Sequence, residues 1–149
     1  MKSQHEFSII TIVNKENVYQ DFKQNLQSQE GVDYELIKVN NDYNQFSSAR
    51  EAYNNAAQKA TGEYLLFIHP DIRFLDDKAL HDILKQIKEL NNFGVAGIAG
   101  CPVELRNGHA ILYTNLKQGA KCQEIGDNIS KPTEVQTVDE CFFVMKKDL

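Results

Sequence analysis

Several features that mark other protein classes are missing from this sequence of 149 residues. Lysine and arginine never run longer than the pair Lys146-Lys147 and the formal net charge is -5, so a nucleic-acid-binding surface is not indicated. No stretch approaches the ~20 apolar residues of a membrane span. The apolar run within residues 1–13 is too short, and too polar at its start, for a signal peptide. We therefore expect a cytoplasmic protein with no nucleic-acid partner and no integral membrane segment in this chain.

Paired cysteines and a glycine-rich phosphate loop are missing as well. Cys101, Cys122 and Cys141 are odd in number and widely spaced, which favours reduced thiols over a disulfide framework or a zinc site. The first apolar run leads into Asn14-Lys15-Glu16 rather than a glycine-rich turn, so the sequence has no dinucleotide fingerprint and no P-loop. A bound pyrophosphate would therefore need another counter-charge.

The residues that are present suit one domain over residues 1–149, since 42% are hydrophobic and 25% charged. Strand and helix patterns alternate along the chain. Alanines at helical spacing mark the second helix, Gly62 is its expected end, and Asp76 or Asp77 is the expected cap of the third. The predicted strands cover residues 7–13, 34–39, 64–68 and 94–100, the predicted helices cover residues 16–29, 49–60 and about 77–90, and further strand-like runs cover residues 110–114 and 141–146.

This alternation predicts an α/β fold that is Rossmann-like in the broad sense. Right-handed crossovers between successive strands give a mostly parallel central sheet with helices on both faces. In such open sheets, ligands bind outside the carboxyl ends of the strands.

The strand over residues 64–68 stops at His69-Pro70-Asp71, which places an acid at such an end. Asp71 is either a site residue or a turn residue that caps the strand, because aspartate and proline are both common in turns. A divalent cation held by Asp71 would supply the counter-charge that a pyrophosphate needs.

The order of these segments resembles the inverting glycosyltransferases of the GT-A fold, family 2. Residues 8–16 resemble the family's opening strand, which ends in an asparagine, and residues 35–41 stand in the place of its second strand. Residues 54–64 are similar to the family's Asn-x-Gly-x-x-x-Ala-x-Gly-Glu-Tyr segment, with Ala56 in the place of the first glycine. His69-Pro70-Asp71 stands in the place of the Asp-x-Asp motif.

A smaller branch of that family carries His-x-Asp there, followed later by a Gly-Val-Ala-Gly-like strand, to which residues 94–100 are similar. The resemblance covers about residues 7–100, which would form the nucleotide-binding donor half, with the start of the acceptor side after it. It implies a hexosyltransferase-type enzyme, of a kind found in bacteria, that uses a nucleotide-sugar donor, a UDP-sugar by expectation, and a saccharide or other hydroxyl acceptor.

The resemblance also assigns nucleotide-binding residues. Thr11 and Val13 would line the base pocket, with Asn14 and Asn54 beside the nucleotide. Asn40 replaces the family's base-recognising aspartate, and its amide can still read a uracil edge because it both donates and accepts hydrogen bonds.

The same resemblance places a manganese or magnesium ion on Asp71. His69, which replaces the first acid of the motif, would ligate that metal, donate a hydrogen bond to the diphosphate, or serve only the structure. Arg50 either reaches a phosphate or is a solvated side chain. Asp76-Asp77 caps a helix or adds a metal ligand.

The catalytic base of the family usually comes from a later segment, so we expect it beyond Leu149, with Asp139 as a weak candidate inside the chain. The chain accordingly looks truncated, and peripheral membrane association stays open for a longer form. The alternative function is a non-catalytic nucleotide-binding or interaction module that keeps the GT-A fold. A third hypothesis is a nucleotidyltransferase. It is disfavoured because that enzyme class typically has a glycine-rich phosphate loop near the amino terminus, which this sequence lacks.

Overall fold

Three strand-helix units form the first ninety residues, as the periodicity predicts. A computed structural model describes residues 3–148 of the chain. All six predicted elements are confirmed, with ends that differ by a few residues: β1 His5–Val13, α1 Glu16–Gln27, β2 Tyr34–Asn40, α2 Ala49–Ala57, β3 Gly62–Ile68 and α3 Ala79–Glu89. No helix among the described residues is long and apolar enough to cross a membrane.

The rest of the chain consists of short strands. The single strand predicted over residues 94–100 is wrong, because two strands form there and belong to different sheets. The run over residues 110–114 likewise divides between two strands, whereas the run over residues 141–146 is confirmed as one. The strands are β4 Ala96–Gly97, β5 Ala99–Cys101, β6 Leu105–Arg106, β7 His109–Ala110, β8 Tyr113–Thr114, β9 Lys117–Gln118, β10 Gln123–Glu124, β11 Thr137–Val138 and β12 Phe142–Lys146.

The central sheet has five strands in the order β2-β1-β3-β12-β4. Strand β1 pairs in parallel with β2 and with β3. Strand β12 is antiparallel to both β3 and β4, so four strands point one way and β12 points the other. The sheet is therefore mixed, and its mostly parallel direction agrees with the prediction except at β12. A second sheet, β11-β5-β8, and the hairpins β6-β7 and β9-β10 complete the described part.

Helices cover both faces of the central sheet, as predicted. Successive side chains of a strand point to opposite faces, and each face has its own apolar cluster. Helices α1 and α3 cover one face, where Phe22 and Leu80 pack on Phe7, Ile9 and Leu66. Helix α2 covers the other face, where the buried residues are Ile10, Val39, Ala52, Ala56, Ala60, Leu65 and Phe67.

The sequence suggested that Gly62 ends helix α2. The structure shows that Gly62 instead begins strand β3. A Cβ atom at Gly62 would lie 2.4 Å from the backbone nitrogen of Ser8, so only glycine lets β3 approach β1 this closely. Helix α2 ends at Ala57 with Gln58 as its C-cap. The glycine is thus explained by strand packing.

The predicted capping of α3 by Asp76 or Asp77 is also wrong. The N-cap position is Lys78, which makes no side-chain capping bond, while the Asp76 carboxylate accepts from Lys78 N at 2.9 Å. Gln29, two residues beyond α1, accepts from Leu80 N at 2.9 Å and donates to Asp76 O at 2.6 Å. A side chain distant in sequence thus satisfies the first turn of α3 because the preceding loop lies against α1.

Candidate functional site

The carboxyl ends of β1, β2 and β3 lie together at one edge of the central sheet. Val13, the last residue of β1, is in register with Asn40, the last residue of β2. Strand β3 runs parallel on the other side of β1 and ends at Ile68. Open α/β sheets bind ligands at this edge, so the residues that follow each strand are the candidates for ligand contact.

Asp71 lies in a tight turn directly after β3. Ile72 N donates to His69 O at 3.2 Å, which closes a four-residue turn with Pro70 and Asp71 in its centre. His69 N donates to Cys141 O at 2.9 Å, so the turn is also tied to β12. Asp71 is exposed and His69 is half-buried. Asp71 is therefore both a turn residue and an accessible acid at the ligand edge.

Asp139 reaches the same edge from a distant part of the sequence. Phe142, the first residue of the antiparallel β12, pairs with Ile68, so the residues before it stand beside the end of β3. Asp139 N donates to Ala99 O at 2.9 Å, which fixes this segment against β5. His69 therefore lies close to Asp139, and Asp71 follows His69 in the same turn, although 68 residues separate the two acids in the chain.

The Asp139 carboxylate is held in its ionised form. It accepts from Cys141 N at 2.8 Å. Hydrogen bonds from the backbone and thiol of Cys141 lower the pKa of Asp139, and nearby His69 adds to the effect. Burial, with the charge of Asp139, raises the pKa of the Cys141 thiol to about 12. The cysteine is thus a neutral donor, and all three cysteines are free, as predicted.

Few side chains at this edge could hold a cation. Within residues 3–148, no group of three or more histidine, cysteine or acidic side chains is placed to hold a metal ion. Magnesium commonly binds one or two carboxylates and completes its shell with substrate phosphates and water. The exposed carboxylate of Asp71 fits that mode of binding, and so does an imidazole at His69 if the ion is manganese.

Thr11 and Val13, which the family resemblance assigns to the base pocket, are buried inside the fold. Both residues are fully buried, on the face that α1 and α3 cover. The Thr11 hydroxyl has no hydrogen-bond partner among the described residues. Contact between either side chain and a nucleobase would require a rearrangement of this edge. Asn14, which follows β1 directly, is exposed.

The other predicted nucleotide-binding residues separate into two places. Asn40 is exposed at the end of β2. Arg50 and Asn54 line an open groove of about 550 Å³ along α2, together with Ser47, Ser48, Glu51, Asn55 and Gln58. His69 and Asp71 are not part of that lining. The structure thus brings His69, Asp71 and Asp139 together, and separately brings Arg50 and Asn54 together.

Two residues at the site were missed by the sequence reasoning. Cys141 contacts Asp139, and Arg73 bonds three backbone carbonyls around the Asp71 turn. For Cys141 the signal was the strand-like run that starts at residue 141. A strand antiparallel to β3 places the residues at its own amino-terminal end beside the carboxyl end of β3. For Arg73 the only signal was its distance of two residues from Asp71.

Comparison with known proteins identifies a family that this chain matches. The family described as "Glycosyltransferase like family" matches residues 8–149, which include every candidate site residue from Thr11 to Asp139. No curated protein matches the chain.

Proposed function

Because this chain belongs to the glycosyltransferase-like family, we propose that it transfers a hexose from a nucleotide-sugar donor, a UDP-sugar, to a hydroxyl acceptor with inversion of the anomeric carbon. Membership supports a transferase that takes a donor and an acceptor. The donor, the metal and the stereochemistry are the finer parts of the proposal. The mixed α/β sheet is compatible with a GT-A arrangement of the Rossmann-like type, which we adopt here, with a saccharide as the acceptor and the cytoplasm as the location.

One observation carries the proposal: Asp71, His69 and Asp139 converge at the carboxyl edge of β1, β2 and β3. Two acids and an imidazole there are suited to a ligand that combines a diphosphate, a cation and sugar hydroxyls. Manganese or magnesium, when bound, would neutralise the charge that develops on the departing diphosphate.

The residues of this chain would then divide the work. Asp71 would hold the cation, and His69 would either ligate it or donate a hydrogen bond to the diphosphate. Asn40 would read the base through its amide, and Arg50 with Asn54 would contact the nucleotide from the groove at α2. Asn14 is exposed where it can approach the nucleotide, whereas Thr11 and Val13 support the strand beneath it.

The base that deprotonates the acceptor is the least defined part. The position expected for it, beyond Leu149, lies outside the described residues. Asp139 is the candidate within them, but its lowered pKa makes it a weak base near neutral pH, because a base works best with a pKa near the operating pH. Asp139 is better suited to accept a hydrogen bond from a sugar hydroxyl.

Calorimetric titration of UDP tests the donor site. We expect binding in the presence of manganese that is lost with a chelator and lost in Asp71→Ala. Asp21→Ala removes an exposed carboxylate from α1 instead and should bind as the wild type does. Absence of UDP binding by the folded wild-type chain in every condition would overturn the UDP site.

That negative result would favour the alternative, a non-catalytic module with the same fold. Two observations support this alternative: Asn40 and His69 stand where acids are expected from the family resemblance, and Thr11 and Val13 are closed off from solvent. Manganese-dependent UDP binding with slow hydrolysis of a UDP-sugar would count against it.

A further inference from the structure

Arg73 surrounds the Asp71 turn with hydrogen bonds. Its Nη1 donates to Pro70 O at 2.7 Å and to Ile72 O at 2.8 Å. Its Nη2 donates to Val18 O on α1 at 3.4 Å. Arg73 forms no ion pair with a carboxylate within residues 3–148. Its three hydrogen bonds all go to backbone carbonyl oxygens. An arginine fork used in this way joins a loop to a neighbouring helix.

The bond to Pro70 O acts on the central peptide of the turn. In a four-residue turn, the orientation of the central peptide distinguishes type I from type II, and type II demands a positive φ at the third position. Asp71 occupies that position and is not among the residues with a positive φ. By holding Pro70 O, Arg73 restrains the peptide that joins Pro70 to Asp71 and thereby the direction in which the Asp71 side chain leaves the backbone.

The loop beyond the turn has separate attachments to α1. Asn25 Nδ2 donates to Phe74 O at 3.0 Å, and Phe74 N donates to Asn25 Oδ1 at 2.7 Å. Gln29, which follows α1, donates to Asp76 O at 2.6 Å. The loop from Phe74 onward is therefore held by bonds that do not involve Arg73, whereas two of the three Arg73 bonds go to the turn at residues 69–72. A local effect of Arg73 can be separated from a general loss of folding for this reason.

We propose that Arg73 is a positioning residue: it fixes the turn at residues 69–72 and so presents Asp71 in the orientation that cation and diphosphate binding requires. The second part rests on the proposed function. In this role Arg73 would act through the backbone of Pro70 and Ile72 rather than by contact with the substrate. The bonds it makes are charge-assisted, and such bonds are stronger than those between neutral groups.

Amide hydrogen exchange in the whole chain tests the first part without any ligand. The probe is Ile72 N–H, which donates to His69 O inside the turn. In Arg73→Ala we expect its exchange to accelerate about tenfold, because the turn loses its charge-assisted bonds and opens more often. Phe74 N–H, held by Asn25, and Leu66 N–H in β3 should keep their wild-type rates. Arg73→Lys, which keeps the charge without the planar fork, should fall in between.

Arg106→Ala is the matched control. Arg106 lies in the β6-β7 hairpin and pairs with Asp127 at 2.6 Å. Arg106→Ala therefore removes one positive charge, as Arg73→Ala does, but leaves the turn at residues 69–72 unchanged. Exchange at Ile72 that stays within twofold of the wild type in both Arg73 variants would overturn the proposal. An equal acceleration at Ile72, Phe74 and Leu66 would overturn it too, because Arg73 would then serve general stability only.

UDP titration with manganese tests the second part. Arg73→Ala should bind about tenfold more weakly than the wild type, with partial rescue in Arg73→Lys. Unchanged affinity in a variant whose Ile72 exchange is accelerated would overturn the link between the turn and the ligand. If the wild type itself binds no UDP, the proposed function fails, while the exchange rates still decide whether Arg73 fixes the turn.

Discussion

Ser8 on β1 donates a 2.6 Å hydrogen bond to Glu35 on β2, and the same hydroxyl accepts from Gly62 N on β3 at 2.8 Å. Glu35 also accepts from the backbone nitrogen of Thr61 at 2.6 Å and from its hydroxyl at 2.8 Å. A single serine and a single carboxylate thus join three parallel strands at the edge opposite the candidate site. This network sets the register of the strands whose other ends carry Asn14, Asn40 and His69.

Glu35→Gln should therefore lower stability in a pH-dependent way. Burial works to raise the pKa of Glu35, but the hydrogen bonds from Ser8 and Thr61 outweigh it, so the pKa in the folded state is lowered. A lowered folded pKa gives stability above the unfolded value near 4.3, which is lost as the pH falls through the folded value. We expect a loss of about 1 kcal/mol at pH 7, after allowance for solvent screening.

Urea unfolding of both proteins between pH 7 and pH 3 measures this difference. The gap between wild type and Glu35→Gln should close as the pH falls below about 4. Glu30→Gln, at an exposed glutamate after α1, is the control and should change little. A gap that stays constant over the whole range would show that the charge of Glu35 contributes nothing.

Gly62→Ala should lower the stability of the fold more than Glu35→Gln does. Its Cβ would lie 2.4 Å from Ser8 N and 2.6 Å from Phe7 C, which are backbone atoms that cannot move aside without separating β1 from β3. We expect a loss of about 2 to 3 kcal/mol in the free energy of unfolding, the upper part of the range for overpacking. Gly94→Ala is the matched control, because nothing lies within 4 Å of its added Cβ. Equal stability of the two variants would contradict the close packing.

The first ninety residues were predictable because their signals are local. A largely apolar, β-branched run defines β1, an unbroken apolar run over residues 64–68 defines β3, and helical spacing of apolar residues defines α1 and α3. Gly62 was misread for a physical reason: a glycine after a helical pattern is usually a stop, and only the three-dimensional structure shows that it makes room for Ser8.

The later part could not be predicted in this way, because its structure depends on contacts between distant segments. The run over residues 94–100 is rich in glycine and alanine and has no period. It divides between two sheets, where a Cβ atom at Gly97 would meet Val138 and a Cβ atom at Gly100 would meet Thr137 O. Of the candidate site, the place of His69 and Asp71 followed from the strand before them. The position of Asp139 could not be predicted without the pairing of β12 with β3. The sequence pattern of a strand does not show which strand it pairs with.

The raised pKa of Cys141 predicts slow alkylation. Only the thiolate is nucleophilic, and burial with the charge of Asp139 raises the pKa of this thiol to about 12. At pH 8, iodoacetamide should modify Cys141 about a hundredfold or more slowly than the exposed Cys122. Asp139→Asn should accelerate the reaction at Cys141, since it removes the nearby negative charge. Mass spectrometry of the digested protein measures both rates, and equal rates at the two cysteines in the wild type would refute the prediction.

Gly97→Ala tests how the segment that carries Asp139 is held in place. The added Cβ would lie 2.3 Å from Val138 Cγ1 and 3.0 Å from Phe142 O, so either Val138 or β4 must shift. We expect a loss of about 1 to 3 kcal/mol in urea unfolding. Val138→Ala removes the side chain responsible, so the double variant should be more stable than the sum of the single effects predicts, by about 1 kcal/mol.

Because Val138 precedes Asp139, the same shift would move Asp139 away from His69. Gly97→Ala should therefore also weaken manganese-dependent UDP binding, and Val138→Ala in the same chain should restore it. Gly94→Ala again serves as the control with open space around the added Cβ. Strictly additive free energies in the double variant would mean that Val138 does not make the contact, and the position of Asp139 would then need another cause.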